Sequence, residues 1–277
     1  MVIDEVQWSD SESTDVLTLP IRAVQAEPVT VVACRSDQAP LHAHVAGWLA
    51  QARGAQGVEE IRLGPLSRDE AAAQVAGLLG EPPPPGLVDA LYGRAGGNPF
   101  FTEQLVATAQ AGPGEDTVRV PAGLPARLAG LLAARAARCA GDARAVLDAL
   151  AVAARPLTED LLSGVTGLDV AVVRRGLREL AAARLLADDA APGGGHRPRH
   201  ALLAEAVVRG LLPGVRADLH ERSARALEAA GDTALAGEAA GHWQAAGRPA
   251  GELSARVAAA AAAERVFGYT QAAAGSG

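Results

Sequence analysis

The sequence predicts a mainly α-helical protein with an N-terminal α/β part. Three observations carry that expectation. The chain is 49% hydrophobic but only 3% aromatic, so Ala and Leu supply the burial, which suits close-packed helices better than a β-sandwich. Residues 1–80 alternate strand-like and helix-like patterns, the order of a doubly wound α/β sheet. Beyond the proline run "GEPPPPG" (Gly80 to Gly86), which reads as a stiff linker, the apolar spacing is helical almost throughout.

The elements follow in order. Residues 1–6 of "MVIDEVQWSD" form a buried strand that ends in Asp4-Glu5. Ser9 or Asp10 caps a helix running to about Arg22, with Val16, Leu17 and Leu19 as its apolar face. "PVTVVACRSD" (Pro28 to Asp37) is a second buried strand, β-branched and uncharged until Arg35. A helix over about Leu41 to Arg53 places His44, Val45, Trp48 and Leu49 at helical spacing. "VEEIRLGPLS" (Val58 to Ser67) is a short third strand, and Ser67 with Glu70 makes a capping box for the next helix.

Leu87 to Arg94 is a short helix ending in "AGGNPFF", where Asn98 precedes Pro99 in the first turn of another helix reaching about Gln110. Helices then cover about 124–139, 142–154, 158–163 and 170–183, with Leu128, Leu131 and Leu132 among the inward residues. The glycine run in Arg184 to Leu203 marks a β-hairpin, so helices and hairpin together make a winged-helix arrangement. From Ala201 onward paired helices resemble the start of a helical-repeat array, with Trp243 as a packing residue between them. The expected domains are 1–80, 81–120, 121–200 and 201–277.

Composition excludes several classes. The 277 residues carry a net charge of −7, so no general attraction to nucleic acid or anionic membrane is expected. No stretch of about 20 residues lacks charge, so no membrane span is expected. Cys34 and Cys139 stand far apart without a CxxC partner and read as reduced, which fits a cytoplasmic protein. His42 and His44 have no third ligand nearby in sequence, and zinc is not expected there. All 25 basic side chains are Arg. A phosphate-binding loop GxxxxGKS/T needs a Lys, so none exists in this chain.

Six stretches in this order, "VIDEVQWSD", "VVACRSD", "IRLGPLS", "RAGGNPFF", "RPRHALLAEAV" and "AGHWQAAGRPAGELSARVAAAAAAERVFGY", resemble the large ATP-binding transcriptional regulators of the LuxR family. Those belong to the AAA-like signal-transduction ATPases with numerous domains. The resemblance covers essentially the whole chain. It implies a partial P-loop (AAA-like) parallel sheet, a helical lid, a winged helix and the start of TPR-like repeats. It implies Asp4 as the Walker B acid holding Mg²⁺ through water, and Glu5 as the acid that polarises the attacking water. It implies Arg35 as a γ-phosphate sensor, Asn98 and Pro99 as a lid motif against the nucleotide, and His200 as a reader of the ADP phosphate.

The Walker A loop and the DNA-binding helix-turn-helix of that family have no counterpart here. The resemblance therefore implies an internal piece of a longer bacterial regulator, with ATP or ADP and Mg²⁺ bound only in the complete protein. Its partners would be the rest of the regulator or a second copy, and an inducer of unspecified chemistry. Plainer readings stand beside these. Asp4-Glu5 can be a strand reaching solvent, Arg35 an ion-paired surface residue, Asn98-Pro99 a helix cap, and His200 a satisfied residue at a helix start. Two other functions remain open. One is a non-catalytic protein–protein scaffold; the other is a winged-helix DNA-binding protein using Arg174, Arg175 and Arg178.

Overall fold

The computed structural model describes residues 2–22, 30–35, 41–111, 118–119, 123–187 and 194–274. Contacts divide the chain into two compact units, residues 1–64 with 182–184, and residues 65–181 with 185–277. Thirteen α-helices dominate the described residues, so the protein is mainly helical as expected.

In the first unit β1 (Val2–Ile3) and β2 (Val31–Val32) pair in parallel, Val2 with Val31 and Ile3 with Val32. The pairing continues past both strands: the Ala33 amide donates to Ile3 O (2.8 Å) and the Val6 amide to Ala33 O (3.1 Å). A 3₁₀ turn at Val6–Trp8 leads into α1 (Ser11–Arg22), which packs on α2 (Ala43–Arg53). Asp10 is the cap, accepting from the Ser13 amide at 2.7 Å, while the Ser9 hydroxyl donates to Val6 O. That bond from Ser13 holds the Asp10 carboxyl below the usual carboxylate range. Val45, Trp48 and Ala52 are the buried residues of α2.

Three expectations for this unit change. The strands are shorter than expected and only partly covered, with Val2 and Val31 exposed. On α1 the buried residue is Thr14, and Val16 faces solvent; Leu19 lies outside the residues whose side chains are described. Val58 to Ser67 forms no strand: Ile61 is 74% exposed and Leu63 91%. The reason is local. Among the described residues no third strand joins β1 and β2, so this apolar stretch has neither a ladder partner nor a sheet face to cover.

The second unit opens with α3 (Arg68–Leu79), so the division by contacts falls after Gly64, ahead of the proline run. The expected capping box is present: the Ser67 amide donates to Glu70 Oε2 (2.8 Å) and the Glu70 amide to Ser67 Oγ (3.3 Å). α3 packs with α4 (Leu87–Ala95) and α5 (Pro99–Thr108). A short antiparallel pair, β3 (Gln110–Ala111) and β4 (Val118–Arg119), flanks the expected loop.

Then come α6 (Ala126–Ala136), α7 (Gly141–Ala153), α8 (Glu159–Thr166) and α9 (Val170–Ala182). On α6 Leu128 and Leu132 are buried, but Leu131 is half exposed. The expected hairpin is seen as one antiparallel bridge, Leu186 with Pro198, and its second arm bridges the segment before α8 through His196 and Leu157. Its tip lies outside the described residues. Gly195 runs so close to the strand at Leu157 that a Cβ there would lie 2.8 Å from Pro156 Cβ.

The chain ends in α10 (Ala201–Gly210), α11 (Pro213–Ala229), α12 (Ala236–Ala245) and α13 (Pro249–Ala274). One continuous core joins α3 through the start of α11, rich in Leu and Ala and centred on α7. A second, smaller cluster of Ala224, Leu227, Ala239, Ala240, Trp243 and Ala255 holds α11, α12 and α13. Trp243 packs as expected: its Nε1 donates to Glu228 (2.8 Å), and only glycine at 251 leaves room for its ring. No described helix is long and apolar enough to cross a membrane.

Candidate functional site

The six candidate residues fall into two groups, one in each unit. In the first unit Asp4 and Glu5 follow β1 and Arg35 follows β2, so all three sit past the C-terminal ends of adjacent parallel strands. That end of a parallel sheet is where α/β proteins bind ligands, because the strands deliver the chain there and loops take over. Glu5 turns the chain with φ 55°, ψ 42°, a left-handed conformation that side chains with a Cβ rarely adopt. The Asp4 carboxylate steadies the turn by accepting from the Glu5 amide at 2.8 Å.

Glu5 and Arg35 form an ion pair at 3.6 Å, both about half exposed. Beneath them the Gln7 side chain is buried, and its Oε1 accepts from the Arg35 amide (3.1 Å). Gln7 thus ties the two strand ends together. Its Nε2 is buried with no hydrogen-bond partner among the described residues. An open cleft of about 570 Å³ borders the acids, lined also by Ile3, Trp8, Glu12 and Val16. Exposed carboxylate oxygens at a strand end fit a hydrated magnesium ion, which keeps several waters and takes one or two carboxylates. For a phosphate the group offers one guanidinium, Arg35.

Nearby, His44 does what a half-buried imidazole at a helix entrance does: its Nε2 lies 2.7 Å from Ser9 O. Its ring stacks on His42 at 5.6 Å.

In the second unit Asn98, Pro99 and His200 come together. Asn98 caps α5, its Oδ1 accepting from the Phe100 (3.0 Å) and Phe101 (3.3 Å) amides, and Pro99 takes the first turn. His200 precedes α10, its carbonyl accepting from the Leu203 amide. Its ring meets Phe101 edge-on, centroids 5.3 Å apart, and its Nδ1 lies 3.3 Å from where a Cβ on Gly96 would be. Phe101 is buried, whereas Phe100 is exposed. The plain roles of cap and packed histidine are therefore present in the fold. Arg94 of α4 and Glu205 of α10 clamp the same two segments with a two-pronged ion pair, 2.8 and 3.2 Å, mostly shielded from water.

Sequence reasoning missed Gln7, the Arg94–Glu205 clamp and a close pair of histidines, His220 and His242. Nothing in the spacing marks them, since each depends on contacts between distant segments. The doublet Gly96-Gly97 did carry a signal of left-handed backbone, and both residues have positive φ. Compared with known protein families and with curated proteins, the chain matches none.

Proposed function

We propose that this chain is part of an ATP-binding, nucleotide-switched transcriptional regulator of the LuxR and STAND kind. In that reading the first unit is a partial AAA-like sheet. The segments after it are a helical lid, a winged helix and the first TPR-like repeats. A cytoplasmic location goes with it. The observation that carries the proposal is the juxtaposition of Asp4-Glu5 with Arg35 past the ends of adjacent parallel strands. Two acids there can hold hydrated Mg²⁺ and orient a water, and an arginine beside them can meet the terminal phosphate. Glu5 would exchange Arg35 for a metal-bound water, and Arg35 would be freed for the nucleotide. The exposed side chains of Ile61 and Leu63 support a sheet that needs a further strand with a phosphate-binding loop. Without it, binding and hydrolysis by these residues alone are not expected.

A second reading, a non-catalytic scaffold, is favoured by the engagement of Asn98 as a cap and of His200 against Phe101. Both are then structural. A DNA-binding winged helix has less support: Arg174 is paired with Glu159 (2.6 Å) and Arg175 with Asp142 (3.0 Å).

The test reads the in-frame codons upstream of Met1 and titrates the protein they encode with Mg-ATP and ADP. A GxxxxGKS/T in that frame supports the regulator. So does binding tighter than about 100 μM, roughly −5.5 kcal/mol, that Asp4→Ala weakens. A frame closed by a stop codon with no such motif leaves the scaffold.

A further inference from the structure

His220 of α11 and His242 of α12 face each other across the helical hairpin, Nδ1 to Nδ1 at 2.8 Å, with ring centroids 5.1 Å apart. His242 is buried and His220 half-buried. Two nitrogens at that distance need one hydrogen between them. One ring must carry its proton on Nδ1 and the other must present a bare Nδ1.

The protons can be followed. At neutral pH one imidazole donates and the other accepts. A first added proton goes to the free Nε2 of the donor ring, and the hydrogen bond survives with a charge behind it. A second must go to the accepting Nδ1. Two N–H groups then point at each other between two cations, and the contact cannot persist.

The surroundings oppose that second charge. Arg216 faces the pair from α11, one turn before His220, and Arg155 from the segment between α7 and α8. Arg155 is itself held by Glu238 of α12 at 2.9 Å. Other acids on neighbouring elements are engaged elsewhere. Asp148 of α7 pairs with Arg144, Glu159 of α8 with Arg174, Glu221 with Arg225 and Arg248, and Glu252 of α13 with Arg256. Asp160 of α8, and Asp218 and Arg222 of α11, are exposed. Ser223, also on α11, is buried with its hydroxyl unpartnered, so an opened hairpin gives it water.

We propose that the His220–His242 pair is a proton-operated latch: one shared hydrogen holds α11 against α12, and protonation of both rings in acid releases the hairpin locally. Burial and the neighbouring arginines depress both imidazoles, His242 to about 4. The closed hairpin therefore resists the second proton until well below the ordinary 6.5, and an opened one takes it readily.

The experiment uses the full chain labelled with ¹⁵N histidine, together with amide exchange between pH 7.5 and 4.5. At neutral pH one of the two rings is expected as the Nδ1–H tautomer and its partner as Nε2–H. Protection of α11 and α12 amides, corrected for intrinsic rate, should fall by up to about tenfold per pH unit below pH 6.5 and stay below that of α7 amides throughout. In His242→Gln that slope should vanish. Two rings titrating independently near 6.5 with protection unchanged would overturn the latch. So would α11 and α12 amides as well protected as those of α7 at every pH, which means that the hairpin opens only when the whole chain unfolds. Should His242→Gln not fold, the tautomers and slope of the unmodified chain still decide.

Discussion

Gly97 gives its carbonyl to the Leu66 amide at 2.8 Å, and a Cβ on Gly97 would lie 2.2 Å from Leu66 O. No rotation of a side chain relieves a clash with backbone. The residue also sits at φ 73°, where a Cβ is disfavoured. Gly97→Ala should therefore cost about 2–4 kcal/mol of unfolding free energy. Gly96→Ala, at φ 60° with only the His200 ring nearby at 3.3 Å, should cost about 1 kcal/mol. Urea denaturation of both variants checks the ranking, and equal costs would mean that the contact with Leu66 is unimportant.

One residue further on, Asn98 separates a structural role from a nucleotide role. Its Oδ1 caps α5 through two amides. Asn98→Ala should lose about 1 kcal/mol, while Asn98→Asp keeps an accepting oxygen and should lose only a few tenths. A stability loss for Asp as large as for Ala would show that the amide nitrogen matters, as a cap alone does not require.

Arg35 and Glu5 make the opposite case. An ion pair at 3.6 Å with both partners half in water adds little, so Arg35→Ala should change stability by less than about 0.5 kcal/mol. Gln7→Leu removes the buried bond between the strand ends and should cost more, about 1–2 kcal/mol. If Arg35→Ala proved the more damaging, Arg35 would have to be placed among the residues that hold the strand ends together.

These contrasts also mark what was legible in the sequence. Helix caps and apolar spacing are local, so Ser67–Glu70, Asn98 and the buried faces of α7 and α9 could be read directly. The absence of the expected strand at Val58 to Ser67 could not, because such a segment becomes a strand only when another strand pairs with it. Val16 misled for a related reason: helical spacing gives the faces of α1 but not which one finds a partner. Of the candidate site, the order of acids after one strand and arginine after the next was legible. The Gln7 tie and the His220–His242 contact join residues 28 and 22 positions apart and leave no periodic trace.

The buried histidine gives global stability a pH dependence with a definite sign. His242 is depressed in the folded state from 6.5 to about 4, so folding favours its neutral form. That stability is fully present above 6.5, is lost as pH falls towards about 4, and levels off below. The full difference is at most about 3 kcal/mol. Subtracting the pH profile of His242→Gln from that of the unmodified chain isolates it. A flat difference would mean that His242 titrates alike in both states.

Among the described residues of the first unit Leu63 is the most exposed large aliphatic residue, and Ile61 is about as exposed as Val2. Ile61 and Leu63 stand two residues apart in a segment without regular structure, and Val58 ahead of them is also exposed. Exposed aliphatic side chains in a segment without regular structure are the kind of surface that promotes association between copies. Leu63→Lys should therefore leave unfolding free energy within about 0.5 kcal/mol, since nothing buried is removed. It should also lower the concentration-dependent light scattering of the purified chain. The paired outcome is what discriminates. If the substitution destabilises the fold by more than about 1 kcal/mol, Leu63 is packed in solution and Val58 to Ser67 has found a strand partner there, which calls for a larger sheet than β1 and β2 provide.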